Sequence, residues 1–180
     1  MSAAGGYGAS MYFQLIFQLK KTLSQFDVMF DAAEAHAKAK SFDTSVYMGL
    51  RLAPDQFAFA RQVQIACDTA KLAASRLSGK DAPVHADTEA TLAELRARVA
   101  SVVSYLSAFK AEDFADAETR LITQPRWEGK TMTGANYLLE HAIPNLYFHV
   151  SHAYAILRHA GVVVGKKDYL GALTMQAPSA

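Results

Sequence analysis

The chain has one cysteine, five prolines and no basic run longer than the pairs Lys20-Lys21 and Lys166-Lys167. Each scarcity excludes something. A lone thiol, Cys67, cannot form an intrachain disulfide, which fits a reducing compartment. It sits in a helical apolar run with Asp68 beside it and Lys71 one turn on, so it reads as a small buried hydrophobe rather than a nucleophile. Acids and bases nearly cancel, leaving a formal charge of +1. Nucleic acid is therefore not an expected partner, since phosphate binding needs a concentrated basic surface. The apolar segment from Met11 is interrupted by Gln14, Gln18 and Lys20-Lys21, well short of a membrane span. MSAAGGYGAS lacks the basic start of a signal peptide, and the expectation is a cytoplasmic protein with no membrane partner. Glycine-rich phosphate loops, CxxC pairs, HExxH patterns, internal repeats and a strand series are all missing.

What is present is helical periodicity over 180 residues that are 51% apolar, enough for one core and one domain. After a flexible start over residues 1–10, Leu15, Leu19, Leu23, Phe26, Met29, Phe30 and Ala33 step along one side of a first long helix that fades in AEAHAKAK. Phe42 to Leu50 reads as a short helix with Asp43 or Thr44 near its start. RLAPDQF, with Pro54 at a first helical position, opens a second long helix that runs to Ser78 and closes at Gly79. Asp87 is placed as the cap of a third, in which Leu92, Leu95, Val99, Val102, Val103 and Leu106 are buried while Glu94, Arg96 and Arg98 face water. RLITQPRWEGKTMTG, with Pro125, Gly129 and Gly134, predicts a short strand-turn-strand or loop excursion. Thr131 or Thr133 leads into a last helix that kinks or restarts at Pro144 and ends at Gly161. The fold class is all-α, an antiparallel four-helix bundle over residues 11–171 with a flexible tail at 172–180.

The last helix carries the segment PNLYFHVSHAYAILRHAG. At about 100° per residue, His141, Asn145, His149, His152 and His159 fall within an arc of about 80° and form a polar stripe beside Leu146, Val150, Ala153 and Leu157. His149 lies nearest the apolar side. His149 and His152 have a spacing that metal ligands use, yet no carboxylate lies on this stripe between 142 and 160. The alternative is that His159 is a helix-end cation and His141 and His152 are half-exposed polar groups.

RLAPDQF, RQVQIACDTAK, DTEATLAELRARV, TGANYLLEHAIPNLYFHVSHAYAILRHAGV and GKKDYLG together resemble an uncharacterised branch, of unknown function, of the DinB/YfiT-like four-helix-bundle metalloenzyme superfamily. The resemblance spans Phe13 to Gly171. It implies a bundle, often paired into a homodimer, with a pocket between helices. In metal-binding members three histidines hold the ion, one from the second helix in an HIA-like context and two from an HxxxH in the last. Those positions fall here on Gln64, Asn145 and His149, so one histidine of three is kept. Amide oxygens are weak ligands for nickel or zinc, and only a weakly held divalent ion, on His149 with His152 in reserve, is compatible with this set.

Three functions follow as expectations. The first is a small-molecule-binding bundle without tight metal, its polar pocket lined by Gln64, Asn145 and His149, with Asp68 either orienting an imidazole or paired with Lys71 or Arg61 on a solvated face. The second, implied by the resemblance, is a metal-dependent enzyme similar to the superfamily's thiol-dependent transferases or hydrolases. The third is a dimerising module whose buried amides fix helix register.

Overall fold

The computed structural model describes residues 4–178. Four long helices form the expected all-α antiparallel bundle: α1 (Ala4–Lys40), α2 (Phe59–Ser78), α3 (Leu92–Ser107) and α5 (Ile143–His159). Ile16, Leu19, Leu23, Phe26, Phe30, Ala33 and Ala37 of α1 are all buried at three- and four-residue spacing, and each large one contributes about 1.5–3 kcal/mol. The antiparallel run of α2 and α5 can be read from side-chain pairs. Gln62 meets His149, Thr69 meets Asn145 and Arg76 meets Tyr137, so position numbers rise on α2 as they fall along the last helix. Residues 62, 69 and 76 recur every seven positions, which keeps them on one helix face.

Three local readings change. First, α1 is already helical from Ala4 and does not fade before Lys40. Its last turns are held by His36, whose Nδ1 lies 2.8 Å from the Tyr47 hydroxyl of a 3-10 segment (Thr44–Gly49) capped by Asp43. Second, α2 starts at Phe59 rather than Pro54. The Phe59 N–H donates to the Leu50 carbonyl at 2.8 Å, folding the Pro54 segment back as a turn. Gly79 closes α2 in the left-handed region (φ 79°), as expected.

Third, α3 is capped by Thr91, not Asp87. The Thr91 hydroxyl accepts from the Glu94 N–H at 3.2 Å and the Glu94 carboxylate accepts from the Thr91 N–H at 2.9 Å, a complete capping box. Asp87 lies outside the helix with φ 56° and faces two arginines instead. Thr91→Ala is expected to cost about 1 kcal/mol in urea unfolding, the usual loss for a removed hydroxyl cap.

The excursion is a two-stranded antiparallel pair, β1 (Leu121–Ile122) and β2 (Met132–Thr133), with Leu121 opposite Thr133. It leads into α4 (Gly134–Asn136), where a side chain on Gly134 would lie 1.8 Å from the Ala117 carbonyl oxygen, so only glycine fits that crossing. Between α4 and α5 the backbone widens into a π-helical turn (Tyr137–Ala142), in which the Ile143 N–H reaches back five residues to the Leu138 carbonyl. Pro144 supplies the cause, because it cannot donate and its ring crowds the preceding turn. After Gly161 the chain turns back, burying Val162 and Val164, and a short α6 (Lys166–Leu170) sets the Tyr169 hydroxyl 3.0 Å from that of Ser151. Among the described residues no helix is long and apolar enough to cross a membrane.

Candidate functional site

The face of α2 that meets the last helix carries Arg61, Ile65, Asp68, Thr69, Leu72 and Arg76 as well as Gln62. Opposite it, the π turn and the start of α5 present Tyr137, His141 and Asn145, and the Pro125 loop adds Gln124 and Arg126. A cleft of about 260 Å³ opens between these elements, walled on its apolar side by Phe57, Ile65 and Leu72. A shallower hollow continues from it past His141 and Asn145 to Pro144 and Phe148. The π turn places Tyr137 and His141 in one stack, rings 5.4 Å apart and 16° from parallel, with Trp127 edge-on to both.

Of the four residues that the sequence reading brings together, the structure places two on this cleft. Asp68 and Asn145 line it. The Asn145 Nδ2 donates to the Thr69 hydroxyl at 2.7 Å, so the Oδ1 is the end without a protein hydrogen bond among the described residues. Gln64 and His149 go elsewhere, and the picture of Gln64, Asn145 and His149 bonded around one hollow is corrected. Residues 62 and 64 point about 160° apart around a helix, and it is Gln62 that turns toward α5. Gln64 bonds instead to Glu89 (Nε2 to Oε2, 2.8 Å) and accepts from Arg61 at 3.2 Å, which ties it to the cleft only through that arginine.

His149 is buried and bonds Gln62 at 2.7 Å through Nδ1. The Gln62 amide nitrogen donates to the Phe57 carbonyl at 3.0 Å, so its Oε1 must accept, and the imidazole is the neutral Nδ1–H tautomer. Burial, with the charges of His152 and Arg61 adding to it, lowers the His149 pKa to about 4. His152 turns away, its Nδ1 2.7 Å from the Phe148 carbonyl and its ring packed on Phe148. His159 is exposed at the end of α5.

Asp68 belongs to an ion cluster of which the sequence offered the Asp68–Lys71 pair but not its centre, Arg98, or its burial. Arg98, placed in water on periodicity, is 2% exposed and corrected accordingly. It lies about 40° around α3 from Val102, at the border of the apolar stripe. Its guanidinium reaches Asp68 at 2.8 Å, Asp87 at 2.6 Å and Glu89 at 3.0 Å. Buried Lys71 adds a second cation on Asp68 at 2.8 Å, and its Nζ donates to the Nδ1 of His85 at 3.0 Å. Burial by itself raises the Asp87 and Glu89 pKa values. Hydrogen bonds from Arg61 and Arg98 to Asp87, and from Arg98 and Gln64 to Glu89, win and hold both carboxyls below their ordinary range. Arg61 is thereby anchored through Asp87 and Gln64 at one end of the cleft.

Cys67 behaves as a hydrophobe: burial pushes its thiol up to about 12. The described residues do not fit a tightly held transition ion. None of their His, Cys, Asp and Glu side chains gather in a group of three able to hold one. The Asn145 Oδ1 is an amide oxygen and a weak donor for such an ion, His149 stands off the cleft on Gln62, and the carboxylate that lines the cleft, Asp68, is shared by two cations.

Comparison with known proteins agrees with the architecture. Residues 11–170 match a family described as a domain of unknown function, DUF1993. A crystal structure of a DinB family member protein from Shewanella denitrificans is 55% identical and superposes with a TM-score of 0.93, covering 96% of this chain and 99% of that one. No curated protein is significantly similar. The match over most of its length, on a bundle of this topology, makes the chain a member of the DUF1993 family, an uncharacterised DinB-like branch.

Proposed function

We propose that this protein binds a small polar molecule in the cleft between α2 and the π turn that precedes α5, without a tightly held metal. The observation that carries this reading is the convergence of Asn145, Gln124 and Tyr137 with three arginines on a single opening whose opposite wall is apolar. Ligand sites are commonly built in this way, with an apolar wall for affinity and a few fixed polar groups for orientation. The π turn supports it further. A widened turn costs helix geometry and recurs at functional positions, and here it sets Tyr137 and His141 at the mouth. Asp68 and Asn145 contact the ligand in this reading, Gln64 holds Arg61 in place, and His149 supports the floor from behind through Gln62. The metal-dependent transferase or hydrolase reading has no group of three His, Cys, Asp or Glu side chains among the described residues to support it.

A fragment library screened by ligand-observed NMR tests the proposal. Hits that compete with one another on the native protein should be lost with Asn145→Leu while its melting curve stays native-like. Absence of competing hits, or hits indifferent to Asn145→Leu, would refute a binding site here.

A further inference from the structure

We infer that the ligand of this cleft carries an oxyanion, a carboxylate or a phosphate ester, held at the Arg76–Arg126 end with its apolar body along Ile65 and Leu72. The inference rests on the binding reading above and names the class of molecule bound.

The argument is one of charge balance along the cleft. Three guanidiniums line it, from Arg61, Arg76 and Arg126, against one carboxylate, Asp68. Asp68 is already neutralised by Arg98 and Lys71, and Arg61 by Asp87. Arg76 and Arg126 differ from these, because among the described residues neither has a carboxylate within ion-pair distance. Arg76 donates to the Tyr137 hydroxyl at 3.0 Å, and Arg126 donates to the Nε2 of His141. Both acceptors are neutral. An arginine is a permanent donor, so the Nε2 facing Arg126 is unprotonated, and burial together with Arg126 and Arg76 lowers the His141 pKa. The proton is then left on Nδ1, which is buried and has no partner among the described residues.

Two permanent cations within reach of one stacked Tyr137–His141 pair, and no anion between them, form a site electrostatically complementary to an oxyanion. Guanidinium forks match carboxylate and phosphate oxygens, and such charge-assisted bonds are about twice as strong as bonds to neutral acceptors. An arriving oxyanion therefore replaces His141 as the acceptor of Arg126. Gln124, whose Nε2 is 3.5 Å from the same imidazole nitrogen, supplies a further donor.

Four probes sharing one aromatic body separate the possibilities by titration calorimetry: benzoate, phenyl phosphate, neutral benzamide and cationic benzylamine. The expectation is that one or both anions bind at least tenfold more tightly than benzamide, with benzylamine weakest. Affinity should fall at least tenfold with Arg126→Gln or Arg76→Gln, and decrease as salt rises. Benzoate over phenyl phosphate identifies a carboxylate ligand, and the reverse order a phosphate ester. Arg126 is exposed, so its replacement spares the fold and carries the test alone should Arg76→Gln unfold. Benzamide binding as tightly as the anions, and lost with Asn145→Leu, would overturn the oxyanion inference while leaving the cleft a binding site. Failure of all four probes to bind would overturn both.

Discussion

Replacing Arg98 with methionine is expected to lower the unfolding free energy by about 3–5 kcal/mol, more than the loss of any exposed charge in the protein. The size follows from burial. The Arg98 side chain is 1% exposed, and it is shared by Asp68, Asp87 and Glu89. Such a cluster adds little stability over a well-packed apolar alternative, because Arg98 and Lys71 have been taken from water and Glu89 nearly so, although Asp68 and Asp87 stay partly exposed. Removing its central cation is another matter, since it leaves three carboxylates facing one another with only Lys71 and Arg61 to balance them. For a chain of this length the loss corresponds to about 10 °C in melting temperature. Arg98→Lys keeps the charge but not the fork and should lose less. Urea unfolding of both variants checks the claim, and a loss below about 1 kcal/mol for Arg98→Met would place the cluster with ordinary solvated pairs. The substitution should reach the cleft as well, because Asp87 holds Arg61 and is itself held by Arg98.

Acidification is expected to destabilise the fold through His149 by about 2 kcal/mol between pH 7 and pH 5. The sign follows from the direction of the shift. The folded protein keeps this imidazole neutral down to about 4, whereas the unfolded chain takes up the proton near the ordinary histidine value of about 6.5. Between those values the unfolded state binds more protons, so stability rises with pH and is lost as pH falls through the window. His85 and His141 are also lowered, each first by burial, and push in the same direction. The contribution of His149 is therefore read as the difference between native protein and His149→Gln, whose pH–stability curve should be flatter by about 2 kcal/mol over this range. Side-chain nitrogen NMR of the native protein gives an independent reading if that variant misfolds. A His149 imidazole titrating near 6.5 would contradict its burial on Gln62.

Most of the bundle was legible because periodicity reports on burial directly. The stripe from Leu19 to Ala33, the Gly79 stop, the paired strands around Trp127 and the disturbance at Pro144 all follow from local spacing and backbone rules, while at the start of the stripe Ile16 is buried in place of Leu15. The errors came where a local signal competed with a distant partner. Asp87 is a good capping residue, but Arg61 and Arg98 offered it more, and the Thr91–Glu94 box three residues apart was the cue that went unused. Arg98 borders an apolar stripe, and nothing local reveals the three acids that make its burial tolerable. The candidate site was half legible. The stripe on the last helix was located, with Asn145 on the cleft and His149 facing inward. The partner face of α2 was misjudged by two residues, which substitutes Gln64 for Gln62 and conceals the cleft. The arginines that set its charge come from α2 and from the Pro125 loop, 50 residues apart in sequence, and only the folded chain shows them together.

The most direct test of the account is a titration of benzoate into isotopically labelled protein while the side-chain signals of Asn145, Arg76 and Arg126 are followed by NMR. The account predicts that all three move together and saturate with one dissociation constant, while the signals of Lys20 and Lys21 on α1 stay still. Saturable binding that leaves those three side chains unmoved would contradict it.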